Sequence, residues 1–395
     1  MPKLIKLVTG KIDGMETTLS LFQDSIKFTY GEEVYVFDLE GRPIFMYFNN
    51  MLYERGLSGE IIEKKWISFK PHRRYIRRVQ DEKRKREILR YTYKRIEEIL
   101  DKLGYNGGGN LKEILNEDRI TQLYIEERVF REIYRPISIL PPDQYLSLVF
   151  QPLEGCPYNK CSFCTFYRDR EFRYKSLEEF REHVEKVVNF LGKGILIRRK
   201  VFLADANALF AETNQLINYI KIINEYLDRD MIEGIYSFSD YFTVYKSIED
   251  LRRLKNEGYK RVYIGLESGS DNILRILSKP GPATRSVELV RRLKEAGISV
   301  GVIILIGAGG REYYEEHVRK TLEVINSMPL DERDIIYFSK LKIREDSEYL
   351  KISREYGLTE MDDAEMNKQI EDIRKGIKLR RQPIQAIYDI DETIY

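Results

Sequence analysis

Cys156, Cys161 and Cys164 are the only cysteines in this 395-residue chain. They fall in one stretch, Cys156-Pro157-Tyr158-Asn159-Lys160-Cys161-Ser162-Phe163-Cys164. Thiolates are soft, anionic ligands suited to iron–sulfur clusters or zinc. A structural zinc site takes four ligands. The three histidines, His72, His183 and His317, are all remote in sequence, so a fourth ligand would have to arrive through the fold. A disulfide would leave one thiol over. Three protein thiolates leave one iron of a [4Fe–4S] cube open to a small molecule, and the odd count therefore favours a cluster.

The rest of the composition frames that site. Hydrophobic residues make up 43% of the chain and charged residues 33%, with a net charge of +2. This predicts folded domains with a heavily charged surface, and the length suits about two of them. No apolar run approaches the roughly 20 residues that span a bilayer. Met1-Pro2-Lys3-Leu4-Ile5-Lys6 lacks the apolar stretch of a signal peptide, so a cytoplasmic protein is expected, where thiols stay reduced. Abundant Lys, Arg, Glu, Tyr and Ile with few Cys hints at a thermophile.

Charge is unevenly distributed along the chain. Between Lys64 and Arg95 stand fourteen Lys and Arg residues against only Asp81, Glu82 and Glu87. With Tyr75, Tyr91 and Tyr93 interleaved, the segment reads either as a surface for RNA or another polyanion or as a solvated amphipathic helix with Ile88, Leu89, Ile96, Ile99 and Leu100 beneath.

Two organisations follow each other. Residues 25–67 alternate as a small β-meander, and Lys70 to about Leu103 reads as one long helix. Asn106-Gly107-Gly108-Gly109 is a break. From about Tyr145 strands and helices alternate. Strands are expected at 145–150, 201–204, 234–238, 261–266, 299–306 and 335–341, with helices at 177–191, 212–227, 248–257, 272–277, 285–296 and 313–327. Ser176-Leu177-Glu178-Glu179 is a capping box. Six strands joined by helical crossovers imply an α/β fold with a parallel sheet, and six units close only part of an eight-stranded barrel. The expected domains are an N-terminal α+β domain (1–140), a six-stranded partial barrel (141–345) and a charged helical extension (346–395). Sites in such barrels lie at the C-terminal ends of strands, where the cysteine loop falls.

On these residues the chain resembles the radical S-adenosylmethionine superfamily, whose usual loop is Cys-x3-Cys-x2-Cys; here the first gap holds four residues. Gly265-Leu266-Glu267-Ser268-Gly269-Ser270-Asp271, followed by Lys279 and Gly281, is similar to the branch containing oxygen-independent coproporphyrinogen oxidases and the elongator catalytic subunit. Phe202-Leu203-Ala204-Asp205-Ala206-Asn207-Ala208 resembles the segment after the second strand of a related radical enzyme group. The resemblance covers roughly residues 140–345.

The resemblance implies that Cys156, Cys161 and Cys164 bind three irons of a [4Fe–4S] cluster and that S-adenosylmethionine chelates the fourth. It places Phe163 near adenine. Asp205, Ala206 and Asn207 are placed at the methionine amino group, where the family usually has Gly-Gly-Glu. Ser237 and Ser239 are placed at the ribose or carboxylate, Glu267 at the ribose hydroxyls, and Ile306 and Gly307 beneath adenine. The implied activity is reductive cleavage of S-adenosylmethionine to a 5′-deoxyadenosyl radical that abstracts hydrogen from an unidentified substrate, with an electron donor such as ferredoxin or flavodoxin. Blander readings stand beside these. Ser270 and Asp271 would cap a helix, Glu267 would pair with a Lys or Arg, Gly307–Gly310 would be a turn, and His317 would be at the surface or facing substrate. With no cysteine left over, a second cysteine-ligated cluster is excluded, and the lack of an Asp-x-His-x-x-Gly run argues against a typical cobalamin domain. The alternatives outside this class are an iron–sulfur RNA-binding protein and a zinc-stabilised structural protein.

Overall fold

A computed structural model describes residues 2–69, 72–105, 111–243, 245–345 and 347–395, without the side chains of 66–69 and 72–74. The break expected at 106–109, and the basic side chains of Lys70, Arg73 and Arg74, lie outside the described residues. The chain divides into two compact units. One runs through Leu148 and includes His183–Arg199 and Asp391–Tyr395; the other comprises Val149–Glu182 and Lys200–Ile390.

The first unit is built on an eight-stranded antiparallel meander in chain order. Its strands are β1 (Leu4–Ile12), β2 (Met15–Phe22), β3 (Ser25–Tyr30), β4 (Glu33–Asp38), β5 (Pro43–Phe48), β6 (Met51–Arg55), β7 (Ile61–Phe69) and β8 (His72–Arg78). Helix α1 (Glu82–Lys102) lays Ile88, Leu89, Tyr93, Ile96, Ile99 and Leu100 on a core that includes Leu19, Phe28, Tyr35, Phe37 and Met46. Helices α2 (Leu111–Ile114) and α3 (Arg119–Ile133) follow.

The meander is thus larger than the 25–67 expected. Strands β1 and β2 are joined at Asp13-Gly14, both at positive φ (50° and 81°), the pairing favoured in two-residue hairpin turns. The expected helix from Lys70 starts only at Glu82, where Asp81 caps it by accepting from the Lys83 amide. The residues before it pair with β7 instead.

Several basic side chains of the segment are paired with carboxylates. Lys64 pairs with Glu54 at 2.8 Å and Glu392 at 3.1 Å, Arg77 with Glu63 at 3.0 Å, Arg95 with Glu33 at 3.1 Å, and Arg78 with Glu60. Tyr91 donates to Glu33, and Tyr93 is buried with its hydroxyl on the Gly41 carbonyl. These pairs offset part of the segment's charge, and Tyr91 and Tyr93 are engaged within the protein.

The second unit is an open, parallel seven-stranded sheet, ordered β17-β16-β15-β14-β13-β12-β9. Strand β9 (Leu148–Phe150) leads into the short pair β10 (Leu153–Glu154) and β11 (Arg173–Tyr174), which bracket the cysteine loop, and then α4 (Leu177–Leu191). The order continues β12 (Lys200–Leu203), α5 (Thr213–Tyr226), β13 (Gly234–Ser239), α6 (Ile248–Asn256), β14 (Tyr259–Glu267), α7 (Asp271–Ile276), α8 (Arg285–Glu295), β15 (Ser299–Ile306), α9 (Tyr314–Asn326), β16 (Ile335–Lys340), α10 (Glu348–Glu355), α11 (Asp363–Gly376) and β17 (Ile384–Ile387).

Near-continuous apolar strands such as Ser299–Ile306 mark a sheet covered on both faces. Six strands match those expected. The seventh, β17, lies in the segment expected to be only helical, and its four residues after Pro383 form a short edge strand with little pattern to read. One face carries Phe202, Phe238, Tyr263 and Tyr337 in successive ring contacts of 5.2–6.4 Å.

Gly301 makes room for that aromatic row, since a Cβ there would overlap the Tyr263 ring. Gly301→Val should cost about 1–3 kcal/mol through forced repacking, measured by denaturant unfolding.

Candidate functional site

The cysteine loop leaves β10 at Gly155, whose φ of 80° suits glycine. The Gly155 amide donates to Asp205 Oδ2 at 3.0 Å, Gln151 Nε2 donates to Asp205 Oδ1 at 2.9 Å, and Arg170 Nη1 reaches Oδ2 at 3.2 Å. Burial raises the Asp205 carboxyl, while those three partners favour its anion. Asp205, expected at an amino group of a ligand, is therefore occupied by three protein donors and fixes the loop's entry. Ala206 is half-buried beside it.

The four-residue gap is accommodated by Asn159. It takes φ 44°, a left-handed conformation that Asn tolerates better than most residues. Its amide donates to Cys156 Sγ at 3.3 Å, and its side chain donates to the Tyr167 carbonyl at 2.8 Å. Cys161 and Cys164 are held by Arg168, which donates to both of their carbonyls.

The loop is stitched to the turn after α7. The Ser162 amide donates to Leu277 O at 2.9 Å, Ser162 Oγ to Ile276 O at 3.0 Å, and Tyr158 Oη to Ser278 O at 2.7 Å. Phe163 packs against a small apolar cluster with Ile276, Leu277 and Tyr349. Burial pushes the Cys161 thiol up to about 12 and the Cys164 thiol up to about 11, and raises Cys156 as well. The three sulfurs interact electrostatically with one another. Among the described residues no three His, Cys, Asp or Glu side chains converge on a single ion. A polynuclear cluster, whose ligands bind different irons, does not require such convergence.

Other expected residues divide into two groups. Asn207 and Glu267 reach the cysteines' surroundings. Asn207 Nδ2 donates to Asp240 Oδ2 at 2.7 Å, leaving its buried Oδ1 without a hydrogen-bond partner, and Asp240 is itself within electrostatic reach of Cys156. Glu267, at φ 62°, pairs through Oε1 with Lys279 Nζ at 2.8 Å. Lys279 is buried against the Tyr241 and Phe242 rings. Burial opposes its charge, but Glu267, Tyr241 and Cys161 hold its pKa above the ordinary range.

The second group makes contacts within the protein. Ser237 turns to the buried Tyr259 hydroxyl at 3.4 Å, on the face of β13 opposite Phe238. Ser239 Oγ donates to the Asp240 carbonyl. Ile306 is buried and its carbonyl accepts from Leu341. The Gly307 amide is taken by Gln369 at 2.8 Å, and a Cβ there would stand 3.1 Å from Met366 Sδ. Ser270 caps α7 through the Ile273 amide, and Asp271 accepts from Ala283.

His317 is not at the surface but fully buried. Its Nδ1 lies 2.8 Å from Ser268 Oγ, and its Nε2 points toward Leu305 without a well-formed hydrogen bond. Arg168 and the Lys279 ion pair were not singled out as site residues. Lys279 stands twelve residues after a candidate carboxylate, and only the turn closing α7 brings the two together.

Residues 150–325 match the family model described as the Radical SAM superfamily. That segment is similar to this superfamily and makes up less than half of the chain. The cofactors of that superfamily are a [4Fe–4S] cluster and S-adenosylmethionine. No curated protein matches the chain.

Among solved structures, methylornithine synthase is 15% identical over 64% of this chain and 73% of its own, with a TM-score of 0.42. Coproporphyrinogen III oxidase from Escherichia coli is 15% identical over 64% of this chain and 54% of its own, with a TM-score of 0.43. A cobalamin-dependent S-adenosylmethionine radical enzyme is 14% identical, with a TM-score of 0.40, over 68% of this chain but only 34% of its own. None of these overlaps speaks to substrate. Among the described residues no helix is long and apolar enough to cross a membrane.

Two outcomes test the supports. Asp205→Ala removes the acceptor shared by the Gly155 amide, Gln151 and Arg170 and should cost about 1–3 kcal/mol, seen in denaturant unfolding, with reduced iron retention. His317 is held by burial near a pKa of about 4, below its unfolded value, so the unfolded state binds more protons between pH 4 and 6.5. Stability should be full above pH 6.5 and fall by roughly 3 kcal/mol as pH drops through 4. His317→Asn should flatten that slope.

Proposed function

We propose that Cys156, Cys161 and Cys164 hold three irons of the [4Fe–4S] cluster, that S-adenosylmethionine binds at the fourth, and that the enzyme abstracts hydrogen from a substrate still to be identified. The supporting observation is one loop of three soft donors, anchored on two sides, with a buried unpartnered acceptor nearby at Asn207 Oδ1. The donor set and its surroundings fit the group. When bound, cluster and S-adenosylmethionine supply a one-electron cleavage of the sulfonium and a carbon radical that takes hydrogen from the substrate.

The chain's own residues supply orientation and exclusion of water. Asn207 Oδ1 is suited to accept from the methionine ammonium, which would satisfy an atom that is otherwise costly to bury. The second oxygen of Glu267 is suited to a ribose hydroxyl. Asn159 directs its amide at the Cys156 sulfur, which favours the thiolate. Tyr158 and Phe242, edge to face at 5.1 Å, exclude water beside the loop, and Phe163 closes the opposite side. Arg168 donates to the Cys161 and Cys164 carbonyls. An electron donor of the ferredoxin or flavodoxin kind would deliver the electron.

Anaerobic reconstitution with iron and sulfide, dithionite reduction and addition of S-adenosylmethionine should yield 5′-deoxyadenosine. Cys161→Ala should abolish it, and Asn207→Ala should raise the S-adenosylmethionine Kd about tenfold. A cluster that forms without binding or cleaving S-adenosylmethionine contradicts this assignment.

A further inference from the structure

Lys279 is the buried cation of this site. Its place is set by the same stitch that positions the cysteines. The loop's Ser162 and Tyr158 bond to the carbonyls of Ile276, Leu277 and Ser278, the three residues that precede it. The Lys279 amide closes the turn on Leu274 O at 2.8 Å. Phe242 lies 5.9 Å from the ammonium and packs on Tyr158 of the cysteine loop.

The counter-charge is equally built. Glu267 adopts a left-handed backbone, a conformation that costs free energy outside glycine. Its carboxylate meets Lys279 over Gly265. A Cβ at Gly265 would strike Glu267 Oε1 and come within 3.0 Å of Lys279 Nζ. A buried ion pair is weak evidence of stability, since apolar residues of like size often serve as well. A strained backbone and a missing side chain both serve to seat this one beside three thiols.

Resting on the cluster assignment above, we propose that the Lys279–Glu267 pair sets the reduction potential of a cluster held by the three cysteines, with the ammonium favouring the reduced state and the carboxylate opposing it. Three thiolates make the cluster anionic, and reduction adds one more negative charge. Net charge around a cluster is among the levers that set its potential, and in a dry site a fixed charge acts strongly. The lysine is coupled to all three thiols, Cys156, Cys161 and Cys164. With the carboxylate paired to it, its effect is partly offset, so the two residues together define an intermediate potential.

The test is an EPR-monitored redox titration of reconstituted protein, with iron and sulfide content measured on each sample. Lys279→Met should lower the midpoint potential below wild type. Glu267→Gln, which leaves the ammonium unopposed, should raise it. Opposite displacements in samples with wild-type cluster content support the proposal, because a merely structural pair would reduce cluster content without moving the potential in two directions. Any other pattern in loaded samples overturns it and leaves the cluster assignment standing. If wild-type protein takes up no cluster, the underlying assignment fails, and the proposal with it.

Discussion

Everything in the second unit depends on how a short loop can carry three thiols and still satisfy its own backbone. The loop is anchored twice. Asp205, at the end of β12, receives the Gly155 amide at its start. The carbonyls after α7 receive Ser162 and Tyr158 from its middle. A buried backbone group left unpaired costs as much as a lost hydrogen bond, so these anchors both pay for the burial and fix the sulfurs. The sheet's role is to bring the end of β12 and the turn after β14 to the same edge.

The anchors also gather charge. Asp205 with Arg170, and Glu267 with Lys279, are two buried pairs on either side of the cysteines. The first is a strut, each carboxylate oxygen held by protein donors. The second stands beside the sulfurs and has a partner-free carboxylate oxygen. Similar chemistry in two places thus does different work, decided by what lies within reach.

Much of this was legible in sequence. The cysteine spacing pointed to a cluster, and the β/α alternation placed six strands and the intervening helices. What sequence could not show has physical causes. Lys64, Arg78 and Arg95 pair with Glu392, Glu60 and Glu33, two of them far away in the chain, so a local count of charge does not show which basic residues have partners. Strand β8 is rich in arginine and looked like the start of α1. Period two along β13 puts Phe238 on the aromatic face and Ser237 on the other, beside Tyr259. Asp205 and Gly307 lie at strand ends, and the protein groups that bond to them come from distant positions in the chain. Lys279 was visible only as part of a resemblance, because its meaning depends on a turn that folds it back onto β14.

The central claim is that three cysteines leave one iron open. Mössbauer spectroscopy of protein reconstituted with ⁵⁷Fe, with and without S-adenosylmethionine, tests it most directly. The account predicts a [4Fe–4S] cluster in which a single iron site changes its isomer shift when S-adenosylmethionine is added. A cluster whose irons are all unaffected by it, or protein that takes up zinc in place of iron and sulfide, would contradict the account.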